Sequence, residues 1–240
     1  MRSPLENGTW HEFESVVSTQ DQAAHALREG ETGVFFAHQQ TLGRGRFGRE
    51  WLSSPGDSLT MSMSFEAYAD HPKPYLVGMT VAVAAASVIF CELKWPNDLI
   101  LGNHKIGGIL TEIVADSAGR RIPVVGIGIN LNNLVFPEEL AKIATSVKLY
   151  KGGVLDPIEV AKLILDRFAK MPEPDSWSAV KEVWDLFDYT AGRKYQLPSG
   201  EIGSAIGIGA EAQLVLNVDG ELREVYAADA FFGNQTNEGN

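Results

Sequence analysis

The amino-acid sequence predicts an α+β protein, in which a mixed β-sheet packs against helices and a small β-barrel of SH3-like size follows. Ser58–Phe65 alternates polar and apolar residues with a period of two, which is typical of a strand. Leu76–Phe90 is rich in alanine and apolar nearly all round, which indicates a buried helix. From Tyr189 onward, short apolar runs alternate with turn residues. We therefore expect two domains, over residues 1–188 and 189–240.

The composition is that of an ordinary globular protein with one sizeable core. Hydrophobic residues make up 45% of the 240 residues and charged residues 21%, which excludes a disordered chain. The net charge of -11 argues against nucleic acid or an anionic membrane as the main partner. The longest apolar run, Leu76 to Cys91, is interrupted by polar residues and falls short of the ~20 residues that span a bilayer.

Two further features predict a cytoplasmic location. The opening MRSPLENGTW contains no apolar core of the kind found in a secretory signal. The single cysteine, Cys91, cannot form an internal disulfide, and its place at the end of an apolar run favours a buried structural thiol. Both observations agree with a reducing compartment.

The first part of the chain is expected to form a strand, a helix and a second strand. Residues 11–17 alternate enough to form a strand, and residues 33–38 are typical of a buried strand. Between them, Ser18 is placed to cap a helix over 19–29, with Asp21 three positions later as in a capping box. We expect this helix to bury its alanines.

The stretch Gln40–Trp51 (QTLGRGRFGREW) is an island of positive charge in an acidic chain. It interleaves three arginines with three glycines, namely Arg44, Arg46 and Arg49 with Gly43, Gly45 and Gly48. The glycines disfavour a helix and let backbone N–H groups turn toward one bound anion. The planar guanidinium groups match carboxylate or phosphate. A solvated basic turn is the alternative, but the density of arginine and glycine favours an anion-binding loop.

A hairpin that carries charged residues is predicted over Leu93–Leu110 (LKWPNDLILGNHKIGGIL). Turn residues at 102–104 separate two apolar runs. Folding back there places Lys105 opposite Leu101 and only a few strand residues from Asp98. The two glycines on the returning strand suit close approach of a ligand to the backbone. From this stretch alone, a surface hairpin with an ordinary salt bridge is an equally good alternative.

Two further strands are predicted around the buried helix. Ser58–Phe65 is expected to turn one polar face to solvent. Pro123–Asn132 (PVVGIGINLN) is a strand whose glycines indicate packing, since no third glycine completes a dinucleotide-binding fingerprint. Asn130 and Asn132, at its end, are placed to face a ligand. The chain contains no Walker A sequence, so any nucleotide is bound in another way.

The remaining chain is expected to form helices and then the barrel. The predicted helices cover 137–147, 157–170 and about 176–187, and Asp156 caps the second. The predicted barrel strands are 193–197, 202–208, 213–218 and 222–227. A disordered tail is expected over 233–240.

Three stretches occur in an order and spacing that resemble the biotin–protein ligases: QTLGRGRFGREW, KWPNDLILGNHKIGG and GIGINLN. Ser18-Thr19 also fits the Ser-Thr-Asn signature of that family, with Gln20 where asparagine is usual. The match covers about residues 12–135. The resemblance implies the class II synthetase-like fold of biotin and lipoate ligases, with the catalytic biotin- and ATP-binding domain in residues 1–188.

The resemblance implies a reaction in two steps. The carboxylate of biotin attacks the α-phosphate of ATP to give biotinyl-5′-AMP and pyrophosphate. A lysine of a biotin carboxyl carrier protein or domain, part of a biotin-dependent carboxylase, then takes the biotinyl group. Bringing two anions together requires positive charge, aided by Mg²⁺ near Asp98. A closing arginine/glycine loop would shield the reactive anhydride from water.

Residue roles follow from the resemblance, position by position. Catalytic roles are implied for Lys105, Arg46 and Arg44. Contacts with biotin are implied for Ser18, Thr19, Gln40, Arg44 and Gly107. Contacts with the nucleotide are implied for Arg49, Trp51, Asn97 and Asn130, and a contact with the metal for Asp98. Lys105 is the strongest catalytic candidate, because an ammonium group there can bridge both reacting groups.

Three alternatives remain at this point. A lipoate or octanoate ligase shares the fold and a lysine in a similar place, but the Gly-Arg-Gly-Arg loop favours biotin. A non-catalytic biotin-binding regulator would keep the pocket without turnover, and Gln20 is the one feature in its favour. The third alternative is a structural α/β domain with a fortuitous basic loop.

The resemblance also bears on partners. Many bacterial relatives carry an N-terminal winged helix-turn-helix that binds DNA. Here the ligase signature begins by residue 18, so we expect no DNA-binding domain and no nucleic-acid partner. We expect no membrane partner either. Relatives pair through sheet edges, which leaves a homodimer open.

Overall fold

A computed structural model of the protein describes residues 2–197 and 199–226. The strands, in chain order, are β1 (Thr9–Phe13), β2 (Gly33–Ala37), β3 (Gly43–Arg44), β4 (Glu50–Trp51), β5 (Ser58–Ser64), β6 (Glu92–Lys94), β7 (Asp98–Leu101), β8 (His104–Ala115), β9 (Arg121–Asn130), β10 (Lys194–Gln196), β11 (Ile202–Ile208), β12 (Leu214–Val218) and β13 (Glu221–Val225). The helices are α1 (Thr19–Arg28), α2 (Tyr75–Ile89), α3 (Glu138–Ala141), α4 (Val147–Lys151), α5 (Pro157–Phe168) and α6 (Trp177–Trp184).

The largest element is a seven-stranded sheet with the strand order β1-β2-β5-β9-β8-β7-β6. Strands β1 and β2 pair in parallel, and the other neighbours in this sheet are antiparallel. A second sheet, β10-β11-β12-β13, is antiparallel throughout, and β3 pairs with β4 in a small hairpin. The predicted fold class is therefore confirmed: a mixed sheet packs against helices and a small antiparallel sheet follows.

One face of the large sheet forms the main hydrophobic core with α2, α5 and α6. Along β5, Leu59, Met61 and Met63 belong to this core and are at most 1% exposed. Helix α2 is buried nearly all round, as predicted, because it packs against both the sheet and α5. Helix α1 covers part of the opposite face, where Ala23 and Leu27 pack against residues of β2 and β9.

The predicted solvent-exposed face of the strand Ser58–Phe65 is wrong. Thr60, Ser62 and Ser64 are each 1% exposed, because β5 is an interior strand whose polar face is covered. Their hydroxyl groups are hydrogen-bonded inside the protein; Thr60 Oγ1, for example, donates to the Ala37 carbonyl at 2.6 Å. The alternation of polar and apolar residues predicted the strand correctly. It did not show that the polar face is buried, because hydroxyl groups can line a buried site when their hydrogen bonds are satisfied.

The predicted helix 137–147 is instead two short helices, α3 and α4, with an extended segment between them. In this segment the Ile143 carbonyl accepts from the Lys105 N–H at 2.8 Å, and the Thr145 N–H donates to the Lys105 carbonyl at 3.0 Å. These bonds to β8 draw the backbone out of the helical path, and Ser146 restarts it by capping α4. The segment therefore flanks the strongest catalytic candidate.

The remaining predicted elements are present with shifted ends. The first strand is Thr9–Phe13 rather than 11–17, and the fourth strand of the small sheet ends at Val225. The predicted end of that strand at 227 and the predicted tail 233–240 lie outside the described residues. No helix in the part of the chain that the structure describes combines the length and apolarity needed to cross a membrane.

The small sheet shares its core with the large one. Leu214 and Leu216 of β12 belong to the same cluster of buried side chains as α2 and α5. Trp95, between β6 and β7, lies in this cluster too and donates from its Nε1 to the Ala212 carbonyl at 2.9 Å. The division into residues 1–188 and 189–240 stays a prediction.

Candidate active site

The face of the large sheet opposite α2 and α5 carries small and polar residues, and we call it the site face. Cross-strand pairing places in one row, from β5 to β6, Thr60, Gly128, Gly108, Asp98 and Lys94. Directly paired residues lie on the same face of a sheet. At a strand spacing of about 4.8 Å, the row is about 19 Å long. It offers a floor on which an elongated ligand can lie.

A β-bulge brings Lys105 onto the site face. The predicted pairing of Lys105 with Leu101 is wrong by one residue: the turn has two residues, both with positive φ, and Lys105 pairs with Ile100. Ile106 is then an extra residue in β8, where the register shifts, and it is buried in the core. Without the bulge, the period of two would turn Lys105 to the same side as Gly107, toward the helices.

The hairpin brings Lys105 and Asp98 together, as the sequence predicts. Lys105 Nζ lies 2.6 Å from Asp98 Oδ1, and the two side chains are 40% and 21% exposed. Beside them, Arg46 Nη1 donates to Asn97 Oδ1 at 2.7 Å, and Asn97 Nδ2 donates to the Ile109 carbonyl at 2.6 Å. Asn97 thus holds Arg46 against the strand that carries Lys105. We call Lys105, Asp98, Asn97 and Arg46 the charged cluster.

The guanidinium group of Arg46 is partly withdrawn from water. Burial lowers the pKa of Arg46 to about 10; the charge of Asp98 opposes this, and the charge of Arg49 adds to it. Arg46 still carries its full charge at neutral pH. A charge in these surroundings attracts an anion more strongly than one in bulk water, because the local dielectric constant is lower.

The loop of residues 40–53, which we call the arginine loop, is attached on both sides of the site face. Arg44 Nη1 lies 2.7 Å from Asp21 Oδ1 on α1, and Arg44 Nη2 lies 3.3 Å from Glu112 Oε2 on β8. The three side chains are 39% to 45% exposed, so each ion pair contributes at most about 1 kcal/mol. Arg44 therefore forms a bridge that is weak enough for a ligand anion to replace.

Trp51 closes the arginine loop against the site face. Its indole lies over Gly128, since a Cβ atom at position 128 would be 2.5, 2.7 and 2.8 Å from three indole atoms. The sequence predicts that Gly128 serves close packing, and the group that packs on it is the indole of Trp51, a predicted site residue. Within residues 2–197 and 199–226, the buried Trp51 Nε1 has no hydrogen-bond partner. A buried donor of this kind is rare in proteins and suits a site whose ligand supplies the acceptor.

A Gly128→Ala substitution is expected to displace Trp51 and loosen the arginine loop. The added methyl group needs the space of the indole, and the two-residue strand β4 can move more easily than β9 in the middle of the sheet. We expect faster tryptic cleavage at the arginines of the loop. Gly45→Ala in the same loop is the control, because its Cβ atom would lie at an ordinary 3.5 Å from the Arg49 carbonyl oxygen. Equal cleavage rates of both variants would contradict the prediction.

A buried polar network lies on the site face at the N-terminus of α1, and we call it the polar floor. Thr19 donates through its N–H and its hydroxyl group to Gln40 Oε1, at 2.8 and 3.0 Å. Thr19 Oγ1 also lies 2.8 Å from Ser62 Oγ, which donates to Gln20 Oε1 at 2.7 Å. Gln20 Nε2 donates to the Val124 carbonyl at 3.2 Å. The network joins α1, the arginine loop, β5 and β9.

Gln20 fits into a notch that Gly126 leaves open. A Cβ atom at position 126 would lie 2.8 Å from Gln20 Oε1 and 3.4 Å from Ser62 Oγ. The unusual glutamine is therefore accommodated as a member of the polar floor. Sequence reasoning did not single out Ser62 or Gly126 as site residues. The signal that could have identified them is the hydroxyl row of β5 beside the alternating glycines of β9.

Four predicted site residues, Ser18, Gly107, Asn130 and Arg49, belong neither to the polar floor nor to the charged cluster. Ser18 is 1% exposed and accepts from the Gln20 N–H as the cap of α1. Gly107 lies on the core face of the sheet, so only its backbone can contribute to the site. Asn130 shares the site face with Gly128 by the period of β9. Arg49 is an exposed residue of the arginine loop.

Both the sequence and the fold are similar to those of known proteins. Residues 13–132 match the model of the Biotin/lipoate A/B protein ligase family. The bifunctional ligase/repressor BirA of Bacillus spizizenii is 32% identical over 238 residues, covering 92% of this chain and 73% of that protein. The biotin–[acetyl-CoA-carboxylase] ligase of Paracoccus denitrificans is 27% identical over 213 residues, covering 82% of this chain and 89% of that protein.

The fold is similar to a solved structure over most of both chains. Biotin protein ligase from Aquifex aeolicus in complex with biotin and ATP is 25% identical and matches with a TM-score of 0.72. The match covers 92% of this chain and 97% of that chain. The range matched by the family model contains all the predicted site residues, from Ser18 to Asn130.

Proposed function

Because the chain belongs to the biotin/lipoate A/B protein ligase family and is an ATP-dependent biotin–protein ligase, we propose that its site face carries out both steps of that reaction. The observation that carries the proposal is the arrangement on one sheet face of the polar floor, then the charged cluster, with the arginine loop over both. A polar ring, a carboxylate and a phosphate follow one another in the same order along biotinyl-5′-AMP.

The polar floor has more hydrogen-bond acceptors than donors, and it therefore suits the ureido ring of biotin. Three oxygen–oxygen contacts of 2.7–3.0 Å link its four side chains, but its two hydroxyl groups have only two protons to share among them. Both glutamine oxygens act as acceptors, since Gln40 Oε1 also accepts from the Thr19 N–H and the Gln20 amide nitrogen donates elsewhere. A ureido ring brings two N–H donors, whereas the dithiolane ring of lipoate brings none.

In the first step, an oxygen of the biotin carboxylate bonds to the α-phosphorus of ATP, and the bond from that phosphorus to the bridging oxygen breaks. We assign to Lys105 the contact with both reacting groups, since its ammonium has three donors and Asp98 takes one. Arg46 lies beside them and offsets the charge that grows on the phosphate oxygens. No proton has to move, so charge and positioning supply the catalysis.

The arginine loop has two parts to play in this proposal. Trp51 covers the row at Gly128 and excludes water from the anhydride, and its indole N–H is available to the nucleotide. Arg44 can exchange Asp21 or Glu112 for the biotin carboxylate, because both of its ion pairs are exposed. In the second step, a lysine amine of a carrier domain attacks the acyl carbon, loses a proton and releases AMP. The acceptor is the biotin carboxyl carrier domain of a carboxylase.

The residues fit a Mg²⁺ ion that arrives with the nucleotide. Among the described residues, no three His, Cys, Asp or Glu side chains form a metal-binding group. Mg²⁺ is commonly held by one or two carboxylates while substrate phosphates and water complete its shell. Asp98, the carboxylate of the charged cluster, would hold it. When bound, the ion neutralises part of the phosphate charge.

Pyrophosphate release tests the proposed function. We expect release when biotin, ATP and Mg²⁺ are present, no release with EDTA, and faster release when a biotin carboxyl carrier domain consumes the anhydride. Lipoate and octanoate, each with ATP and Mg²⁺, serve as matched substrates. Release with either of them but not with biotin would contradict the proposal. Binding of biotin without release would indicate a regulator.

A further inference from the structure

Lys94 ends the row on the site face, and neither step of the proposed reaction uses it. It is paired with Asp98, one strand spacing of about 4.8 Å further from the polar floor. Its side chain is partly buried, and its Nζ lies 5.4 Å from the centre of the Tyr195 ring on β10. In the part of the chain that the structure describes, Lys94 has no ion-pair partner.

Lys94 belongs to a local excess of positive charge. Lys105 and Arg46 surround the same carboxylate, so three cations share Asp98 in a protein of net charge -11. Burial lowers the pKa of Lys94, and Asp98 opposes this. Lys105 and Arg193 lower it further. Holding three cations around one carboxylate costs electrostatic free energy, because the cations repel one another. A ligand with several negative charges would offset this repulsion, so the arrangement indicates such a ligand.

In the first step, pyrophosphate is expected to leave in the direction of Lys94. In phosphoryl transfer the attacking and leaving oxygens lie roughly in line on opposite sides of the phosphorus. The biotin carboxylate approaches from the polar floor, and the α-phosphate lies at Lys105. The leaving oxygen therefore points away from the floor, along the row toward β6.

We propose that Lys94 binds the β- and γ-phosphates of ATP and the pyrophosphate that leaves. The proposal rests on the proposed function, because it takes the direction of attack from that reaction. Lys94 is the next residue of the row beyond Asp98. Tyr195, which is 8% exposed, is then a positioning residue: its ring lies near the ammonium without competing with phosphate for a hydrogen bond. The small sheet thereby takes part in the nucleotide step.

Lys94→Met tests this assignment, because it keeps the length of the side chain and removes the charge. Losing a hydrogen bond to a charged group is expected to raise the KM for ATP and the inhibition constant of pyrophosphate about tenfold to a hundredfold. The KM for biotin, and the transfer of biotin from supplied biotinyl-5′-AMP to a carrier domain, should change less than about twofold. Lys94→Arg should restore most of the pyrophosphate affinity, which a merely structural role would not require.

Lys162→Met is the matched control, because Lys162 is exposed on α5 and pairs with Glu159. If both methionine variants show the wild-type KM for ATP and the wild-type inhibition by pyrophosphate, the assignment is wrong. It is equally wrong if Lys94→Met slows transfer from biotinyl-5′-AMP as much as it slows its formation. Should Lys94→Met fail to fold, Lys94→Gln with the same measurements decides the matter. A wild-type protein that releases no pyrophosphate would instead overturn the proposed function itself.

Discussion

A Lys105→Met variant is expected to form biotinyl-5′-AMP about 10²–10³ times more slowly than the wild type, while its affinity for biotin changes little. The ammonium of Lys105 is placed on the site face by the bulge at Ile106, and its charge is needed most when the carboxylate and the α-phosphate share an oxygen. The polar floor, which we expect to hold the ureido ring, does not include it. Single-turnover pyrophosphate release and titration calorimetry with biotin separate the two effects.

The control for this prediction has to remove the same charge elsewhere. Lys162→Met does so on the exposed surface of α5 and should keep the wild-type rate. Lys105→Met also leaves Asp98 without its partner, so part of any loss could arise from that carboxylate. Lys105→Met combined with Asp98→Asn removes the unpaired charge. If the double variant regained the wild-type rate, Lys105 would not be the catalytic cation.

A Trp95→Ala variant is expected to lose about 3–5 kcal/mol of the free energy of unfolding and, with it, most of the activity. Trp95 is 1% exposed and joins the two sheets: its N–H donates to Thr190 Oγ1 and its Nε1 to the Ala212 carbonyl, both at 2.9 Å. Only one residue separates it from Asn97, so a shift here moves the charged cluster. Urea denaturation followed by circular dichroism measures the change in stability.

Trp95→Phe separates the volume of the side chain from its hydrogen bond. The ring still fills most of the space, but the Ala212 carbonyl loses its donor, which typically costs about 1–3 kcal/mol. We therefore expect a smaller loss than for Trp95→Ala, with activity retained in the folded fraction. A Trp95→Ala protein as stable as the wild type would mean that the contact between the sheets does not depend on this residue.

The sequence predicts those parts of the site that depend on short-range spacing. The tight turn after Leu101 brings Lys105 near Asp98 because the two residues are close in the chain, but the bulge at Ile106, which the sequence did not predict, places both side chains on the same face. The N-cap at Ser18 is found where the capping pattern places it. The composition of Gln40–Trp51 predicts an anion-binding loop, and this loop lies over the site face.

Contacts that depend on three-dimensional register could not be read in this way. The indole of Trp51 lies on Gly128, and the amide of Gln20 lies beside Gly126, although more than 70 positions separate each pair in the chain. A glycine in a strand signals that something comes close, but not what it is. The exposed face predicted for β5 failed for the same reason, because alternation does not tell solvent from a covered polar site. Nor does it reveal which strands become interior.

The predicted division of the chain at residues 188 and 189 has to be judged against the shared core. Thr190 and Ala212, the two hydrogen-bond partners of Trp95, both lie after this boundary. The Lys94 side chain approaches Tyr195, which also lies after it. The two segments therefore meet beside the turn between β6 and β7, next to Asn97 and Asp98 of the charged cluster, and we expect residues 1–188 to depend on the small sheet for activity.

The separation between the two faces of the large sheet has a consequence for how substitutions act. Leucine, isoleucine and methionine on the core face set the stability of the sheet, whereas glycines and hydroxyl residues on the other face set the shape of the site. Neighbouring positions along one strand therefore meet different physical demands, packing on one face and the shape of the site on the other. A substitution at Ser62 or Gln20 changes the hydrogen-bonding groups that a ligand meets, while the apolar packing of Met61 and Met63 on the other face stays in place.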